Sequence, residues 1–518
     1  MPRQFRGIRP SELKQHYDVA IIGAGIGGLV CGNLLASQGK RVLIVENHTV
    51  VGGFCSTFYR KGFTFDSASH FYPLLGNPES ISGKLLKQLG VQTKWRRMDP
   101  VDQFHLPDGT SFSVSADYDQ YQLDLKSQFP NQTDRIDAFF ETVRKLYFFG
   151  LLHFFQEKEV RRGKSFLTWS VRDAMDHFFD DERIKLVLTA DCPHWGAPPC
   201  RTSFVFDSML RLSYFSGNYY PVGGSQVFAN DLASCLEARG GDLLLKSKAT
   251  GIKVVSGTAT GIQVETGPIK NRRIVDISAD SVVSNADLRQ TIERMLPADT
   301  LPDDYHRRVS QLRPSYPCFL MHIGLQGIEA SELERVHGYH WASWNSDRVG
   351  FDAFKCKLFV PTLYEPKMAP KGCHVLVVQK VIEFDYNGIE DWAAHKRDIE
   401  SFIYRELEKI LPGIRSKIVV ALSATAKTSA RFTQNYQGAM IGFEMSPDQL
   451  GKNRPAIETP IENLYLAGQW TRPGGGITPV VISAMRCAQN ILGQSRFDEF
   501  SKLIERTTND LGLPKTHA

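Results

Sequence analysis

One segment, residues 17–47, constrains the fold of this chain more than any other: YDVAIIGAGIGGLVCGNLLASQGKRVLIVEN. Residues 19–22 are an unbroken apolar run, the pattern of a strand covered on both faces in a parallel sheet. Glycines break the run, residues 29–39 follow with helical spacing and a glycine stop at Gly39, and RVLIVE is a second buried strand. Gly23, Gly25 and Gly28 stand in G-x-G-x-x-G order, with Gly27 in the same turn. The first glycine allows a tight turn, the second lets backbone approach a pyrophosphate, and the third lets helix and strand pack closely. An anion held there lies at a helix N-terminus, where unpaired N–H groups favour negative charge. Glu46 ends the second strand, twenty-one residues after Gly25, where an acid suits the ribose hydroxyls of an adenine dinucleotide. The bland alternative is a glycine turn with no ligand. Strand, helix and acid together favour the site.

A chain of 518 residues exceeds one compact core, so two interleaved or sequential domains are expected. Lys and Arg exceed Asp and Glu by 61 to 56, a net charge of +5 too mild and too dispersed to imply nucleic acid. The excess does fit attraction to an anionic membrane surface. Nine scattered cysteines, with no CxxC and no Cys/His pairing at ligand spacing, imply reduced thiols, a non-secretory compartment and no metal site. The opening MPRQFRGIRPSELKQHYD has no apolar signal region. No apolar run approaches the roughly 18–20 residues a membrane span needs. Work on lipid would be done from the surface.

Two further glycine clusters say which dinucleotide. Gly52 and Gly53 follow the ribose acid closely, and the C-terminal stretch LYLAGQWTRPGGGITPVVISAM repeats the strand–glycine–helix pattern. A glycine-rich helix start can set N–H groups against the polar edge of a bound ring system. One ligand touched by both ends of the chain must be long, and FAD is long. The expected cofactor set is Gly23, Gly25, Gly27, Gly28, Glu46, Gly52, Gly53, Ala249, Gly468, Gln469, Gly475, Gly476 and Ile477.

Residues 101–114 read as a hairpin around Asp108-Gly109, and residues 116–215 as helical and strongly aromatic. Strand-like runs return at 243–267 and 274–285, and residues 300–450 mix strands with one long helix. The fold expected is α/β, a doubly wound, Rossmann-type FAD-binding domain with an inserted α+β substrate domain. Residues 17–115, 216–300 and 455–495 would form the first, and residues 116–215 and 301–454 a substrate- and membrane-facing second. Residues 496–518 would be a C-terminal helix or tail.

The pairing of GAGIGGL, Glu46 and VGG with a C-terminal AG…PGGG resembles flavoproteins with two dinucleotide-binding domains. VVSNAD (residues 282–287), residues 220–241 and the tail are similar to segments of bacterial phytoene desaturases. HLPDG and RFTQNYQGAMIGF are similar to the carotenoid isomerase and retinol saturase branch. Two positions depart from the pattern. The tail commonly carries an acid after its AG, near the flavin's ribityl chain, and here it is Gln469. Desaturases usually read FD-x-G-P where retinol saturases resemble FD-x-G-x-H-Y, and this chain has FDSASHF, ending in His70 and Phe71.

By that resemblance, His70 passes the flavin on its substrate side and is the catalytic candidate, able to move a proton as a neutral imidazole. The alternative is a core histidine tied to a backbone group. Phe139, Phe140, Tyr147, Phe148, Phe149, Phe154 and Phe155 are expected to line an apolar tunnel or to press into a membrane. In the second case Arg144, Lys145, Arg161, Arg162 and Lys164 would meet headgroups, while an ordinary helical core is the alternative. Glu444 reads as a solvated loop acid, with a place near the substrate as the alternative. The resemblance implies an FAD-dependent carotenoid isomerase or desaturase acting on a long apolar polyene or isoprenoid. It would work as a peripheral protein on the cytoplasmic side of a membrane, bacterial, thylakoid or plastid. A retinol saturase-like reductase, a flavin amine oxidase and a non-catalytic flavin-binding assembly protein are the alternatives. Phe54, where amine oxidases usually carry an arginine after the GG pair, argues against the second of these.

Overall fold

The computed structural model describes residues 5, 7–155, 161, 163–382 and 386–493. Gln156, Arg162 and the 496–518 tail lie outside them.

The fully buried run at 19–22 does become a central parallel strand. His16–Ile22 pairs in parallel with Val42–Val45 on one side and with Arg273–Ser284 on the other. Asp242–Leu244 extends the sheet beyond Val42–Val45, and Leu464–Leu466 joins the last residues of Arg273–Ser284, Val282 facing Leu464. Two antiparallel strands, Lys248–Val255 and Thr258–Thr266, complete seven. Helix Ile26–Ser37 packs against Ser225–Ala238 and Ile477–Ile491, so the helices that follow the N-terminal and C-terminal glycine turns lie side by side.

A second seven-stranded sheet runs in the order Ile418–Ala424, Cys318–Gln326, Cys373–Val381, Phe354–Phe359, Gly338–Trp341, Asp102–His105, Ser111–Val114. Its two-residue alternation sends Met321, Ile323, Leu376 and Val378 onto helix Trp392–Ile410. Leu320, His322 and Gln379 point the other way. The hairpin at 102–114 therefore belongs to this sheet and not to the first, as its position in the 17–115 segment implied. Its first strand, Asp102–His105, pairs in parallel with Gly338–Trp341, and a partner more than two hundred residues away leaves no local signal.

Helices Tyr118–Gln128, Thr133–Gly150, Val171–Phe178, Glu182–Thr189 and Phe204–Phe215 share a third, aromatic core. Among the described residues no helix is long and apolar enough to cross a membrane. All nine cysteines are free thiols.

Candidate functional site

A cavity of about 940 Å³ is bounded by the loops of the first sheet, by the second sheet and by the aromatic helices. The glycine turn opens on it. Gly23 has φ +98°, and a Cβ on Gly28 would stand 2.1 Å from the Gly23 carbonyl oxygen. Gly28 thus seats helix on strand beneath the cavity, while Gly23, Gly25 and Gly27 line it. Gly25 is the N-cap of Ile26–Ser37 and Gly476 that of Ile477–Ile491, and neither helix start carries a side-chain cap. Two sets of unpaired N–H groups therefore face the same space.

Glu46 lies between these loops. Its carboxylate accepts from the N–H of Ala24 at 2.8 Å and of His48 at 2.7 Å, which pins the second strand to the turn. Burial pushes its carboxyl above the usual range. Gly52 bridges Gly25, with φ +111° and a Cβ position 2.5 Å from the Cys55 carbonyl oxygen. A Cβ on Gly475 would stand 1.9 Å from the Ile441 oxygen. Apart from Gly28, the whole expected cofactor set lines the cavity, Ala249, Gly53, Gly468, Gln469 and Ile477 included. The donor set fits a long ligand with a phosphorylated centre: main-chain N–H groups, glycine clearance and one carboxylate.

Asn285 was not singled out by the sequence. Its Nδ2 donates to the Gly23 oxygen at 3.2 Å, and a Cβ on Gly27 or Gly468 would strike its Oδ1 at 2.4 and 2.6 Å. The available signal was a polar residue directly after a buried strand, inside VVSNAD.

The second-sheet wall is made of side chains. His70 is 4% exposed and lines the cavity, and neither of its ring nitrogens has a hydrogen-bond partner. It leans on Phe359, ring centroids 4.7 Å apart, and burial followed by the nearby His194 and Lys357 holds its pKa well below 6.5. It is not a core histidine tied to backbone. Other cavity histidines are tied: His322 Nε2 donates to the Asp66 oxygen at 2.9 Å, and His194 is held at both nitrogens. Gln379 Oε1 lies 2.6 Å from His194 Nε2, and Tyr339 Oη bonds Nδ1. With the amide oxygen accepting, Nε2 carries the proton and Nδ1 accepts from the phenol.

Behind that wall lies a buried ion pair that sequence reading missed. Lys357 Nζ is 2.7 Å from Asp102 Oδ2 and sits over the rings of Phe71 at 3.7 Å and Tyr339 at 4.2 Å. Burial lowers the ammonium pKa to about 8 and raises that of the carboxyl. Asp66, fully buried, accepts from Tyr220 Oη and from the Ser225 N–H at 2.9 Å, and burial pushes it up to about 6. These bonds fix the strand that leads into residues 67–71 along the cavity.

The aromatic segment divides. Tyr147, Phe154 and Phe155 line the cavity, together with Leu151. Phe139, Phe140 and Phe149 do not: they are buried in the helical core, at 0%, 1% and 4% exposed, where Phe139 meets Phe178, Phe179 and Phe204. Phe148 packs half-buried against the same core. For Phe139, Phe140 and Phe149 the membrane or tunnel role is corrected accordingly, because they face the helical core. Glu444 is corrected too. It is 2% exposed and paired with Arg201 at 2.9 Å and Arg313 at 3.1 Å.

The family profile described as flavin containing amine oxidoreductase matches residues 26–492. Among curated proteins, the chain is 28% identical to prolycopene isomerase 2, chloroplastic, of an Oncidium hybrid cultivar, over 95% of this chain and 87% of that one. It is 26% identical to human all-trans-retinol 13,14-reductase, over 96% and 89%. An oxidoreductase from Methanosarcina mazei superposes with a TM-score of 0.63 at 20% identity, covering 90% of this chain and 99% of its own. Putrescine oxidase bound to putrescine gives 0.65 at 16%, covering 92% and 99%. These two share the fold.

Proposed function

The chain belongs to the flavin-containing amine oxidoreductase family, and from that premise we propose that it binds FAD and isomerises a long apolar polyene between cis and trans. The observation that carries the reading is the single cavity joining the glycine cradle to a wall of Leu151, Phe154, Phe206, Met209 and Leu210. Glu46 would hold the ribose hydroxyls, the N–H groups after Gly25 the pyrophosphate, and Gly475 to Ile477 the ring system. The reduced cofactor supplies electrons that are returned at the end of the cycle. This chain's residues bind the polyene, exclude water and present His70, whose free nitrogens can hold or pass a proton.

Relatives named prolycopene isomerase and all-trans-retinol 13,14-reductase both support a polyene. A diamine finds no partner: among the described lining residues Glu46, at the cradle, is the only carboxylate. Unpartnered His70 favours the reductase as the second reading, since net reduction of a double bond needs a proton as well as a hydride. A peripheral place on a membrane, such as that of a plastid, fits the plant relatives named chloroplastic and the exposed Arg161 and Lys164 that follow Phe155.

The test is anaerobic. Purified, lipid-supplemented enzyme is reduced chemically and given a cis-polyene mixture, the flavin spectrum is recorded and the pigments are chromatographed. Cis isomers becoming trans while the flavin stays reduced is the expected result. Reoxidised flavin with a shortened chromophore would make the enzyme a reductase. Bound flavin with no turnover of any polyene would leave an assembly protein.

A further inference from the structure

Arg454 is the largest charged side chain that the fold buries completely, at 0% exposed. Among the described residues, the oxygens its guanidinium donates to are all main-chain: Nε to Thr471 at 3.1 Å, Nη1 to Glu444 at 3.2 Å, and Nη2 to Phe443 at 3.2 Å and Gln469 at 2.9 Å. Met445 Sδ lies 3.5 Å from Nη1. No carboxylate pairs with it among the described residues, and burial alone lowers its pKa, to about 9, so it is charged at neutral pH. The neighbouring acids are paired with other arginines. Glu444 is shared by Arg201 and Arg313, and Arg313 also meets Asp448 at 2.8 Å. Arg472, behind it, donates to the Arg454 carbonyl oxygen at 3.1 Å.

The two segments that Arg454 ties together both form cavity wall, through Met445 on one side and Gln469 and Trp470 on the other. A Cβ on Gly474 would stand 3.5 Å from the guanidinium carbon, and Gly475 and Gly476, next in the chain, line the cavity at the uncapped helix start. A neutral side chain could staple two loops without the desolvation cost of a buried cation. A fixed positive charge has a use there if the ligand gains negative charge during its work.

We propose that Arg454 is a positioning residue of electrostatic kind, whose uncompensated charge stabilises the negatively charged reduced form of the flavin. The inference rests on flavin binding as read above, not on which polyene is used. In an isomerase the device has a purpose: a cofactor held in its reduced state gives up electrons to the polyene less readily, so isomerisation wins over net reduction. Two electrons and one proton enter the flavin on reduction, and the second proton is kept off.

The test is a spectroelectrochemical titration of the flavin-loaded full chain without substrate, so its outcome is independent of the polyene assay. For the wild type near pH 6, uptake of one proton per two electrons predicts a potential that falls by about 30 mV per pH unit. Arg454→Met is expected to shift the oxidised-to-reduced equilibrium at least tenfold toward oxidised flavin, about 30 mV lower. Arg454→Lys, which keeps the charge with fewer bonds, should recover most of it. A wild-type slope twice as steep, or an Arg454→Met potential equal to wild type, overturns the proposal. If Arg454→Met does not fold, the wild-type slope decides alone.

Discussion

At the glycine cradle the groups that face the cavity are mostly main chain; on the second-sheet wall they are side chains. The cradle draws on residues 23–28, 46–53 and 468–477, each a short run in which strand, turn and helix start are neighbours in sequence. The wall draws His70, His194 and Gln379 from three distant segments, backed by Lys357, Tyr339 and Asp102 from three more. Main-chain binding tolerates side-chain changes but not added bulk. Side-chain binding has the opposite sensitivity, because each polar group depends on a partner whose removal leaves a buried charge or donor unmet.

Gly28→Val tests the first half and should have the largest effect on flavin binding. The new Cβ meets the Gly23 oxygen at 2.1 Å, main chain that cannot step aside. Flavin content by absorbance should fall more than tenfold, with a stability loss of roughly 3 kcal/mol from overpacking. Full flavin occupancy in this variant would break the comparison. On the wall, Lys357→Met strands the buried Asp102 carboxylate and should cost about 3–5 kcal/mol in urea unfolding. Adding Asp102→Leu should recover most of that loss, a coupling expected only if the pair acts as a unit. Flavin content should change little in either variant.

The smallest effect is a pH dependence. Burial holds His322 at about 4 against an ordinary 6.5, so on acidification the unfolded chain takes up this proton first. Its contribution is present above pH 6.5 and is lost as pH falls through 4, up to roughly 3 kcal/mol in all. The stability gap between wild type and His322→Gln should therefore narrow over that window. A gap constant with pH would mean that the histidine is not buried neutral on this wall.

The same contrast explains what the sequence disclosed. Residues 17–47 could be read because one apolar run, one glycine turn and one acid lie within a single crossover unit, and the tail repeats the pattern around Gly475. Asn285 escaped because its role depends on Gly23 and Gly468, both far away in the sequence. Lys357 escaped for a related reason. In FKCKLF a two-residue period would set Lys355 and Lys357 on one face, but a register shift opposite His340 and Trp341 breaks it, so Lys357 is sealed by Phe71 and Tyr339 while Lys355 reaches Phe402 and stays partly exposed. Aromatic density likewise could not separate Phe139, which fills a core, from Phe154, which lines the cavity. Helical period gives a face but not what the face meets.

The central claim is that one cavity holds the flavin at the cradle and the polyene along the apolar wall. The most direct measurement is polyene conversion and flavin content, taken together, for Leu210→Trp, which adds bulk to that wall. Flavin should be bound as in wild type and conversion reduced at least tenfold. Conversion unchanged, with the flavin in place, would contradict it.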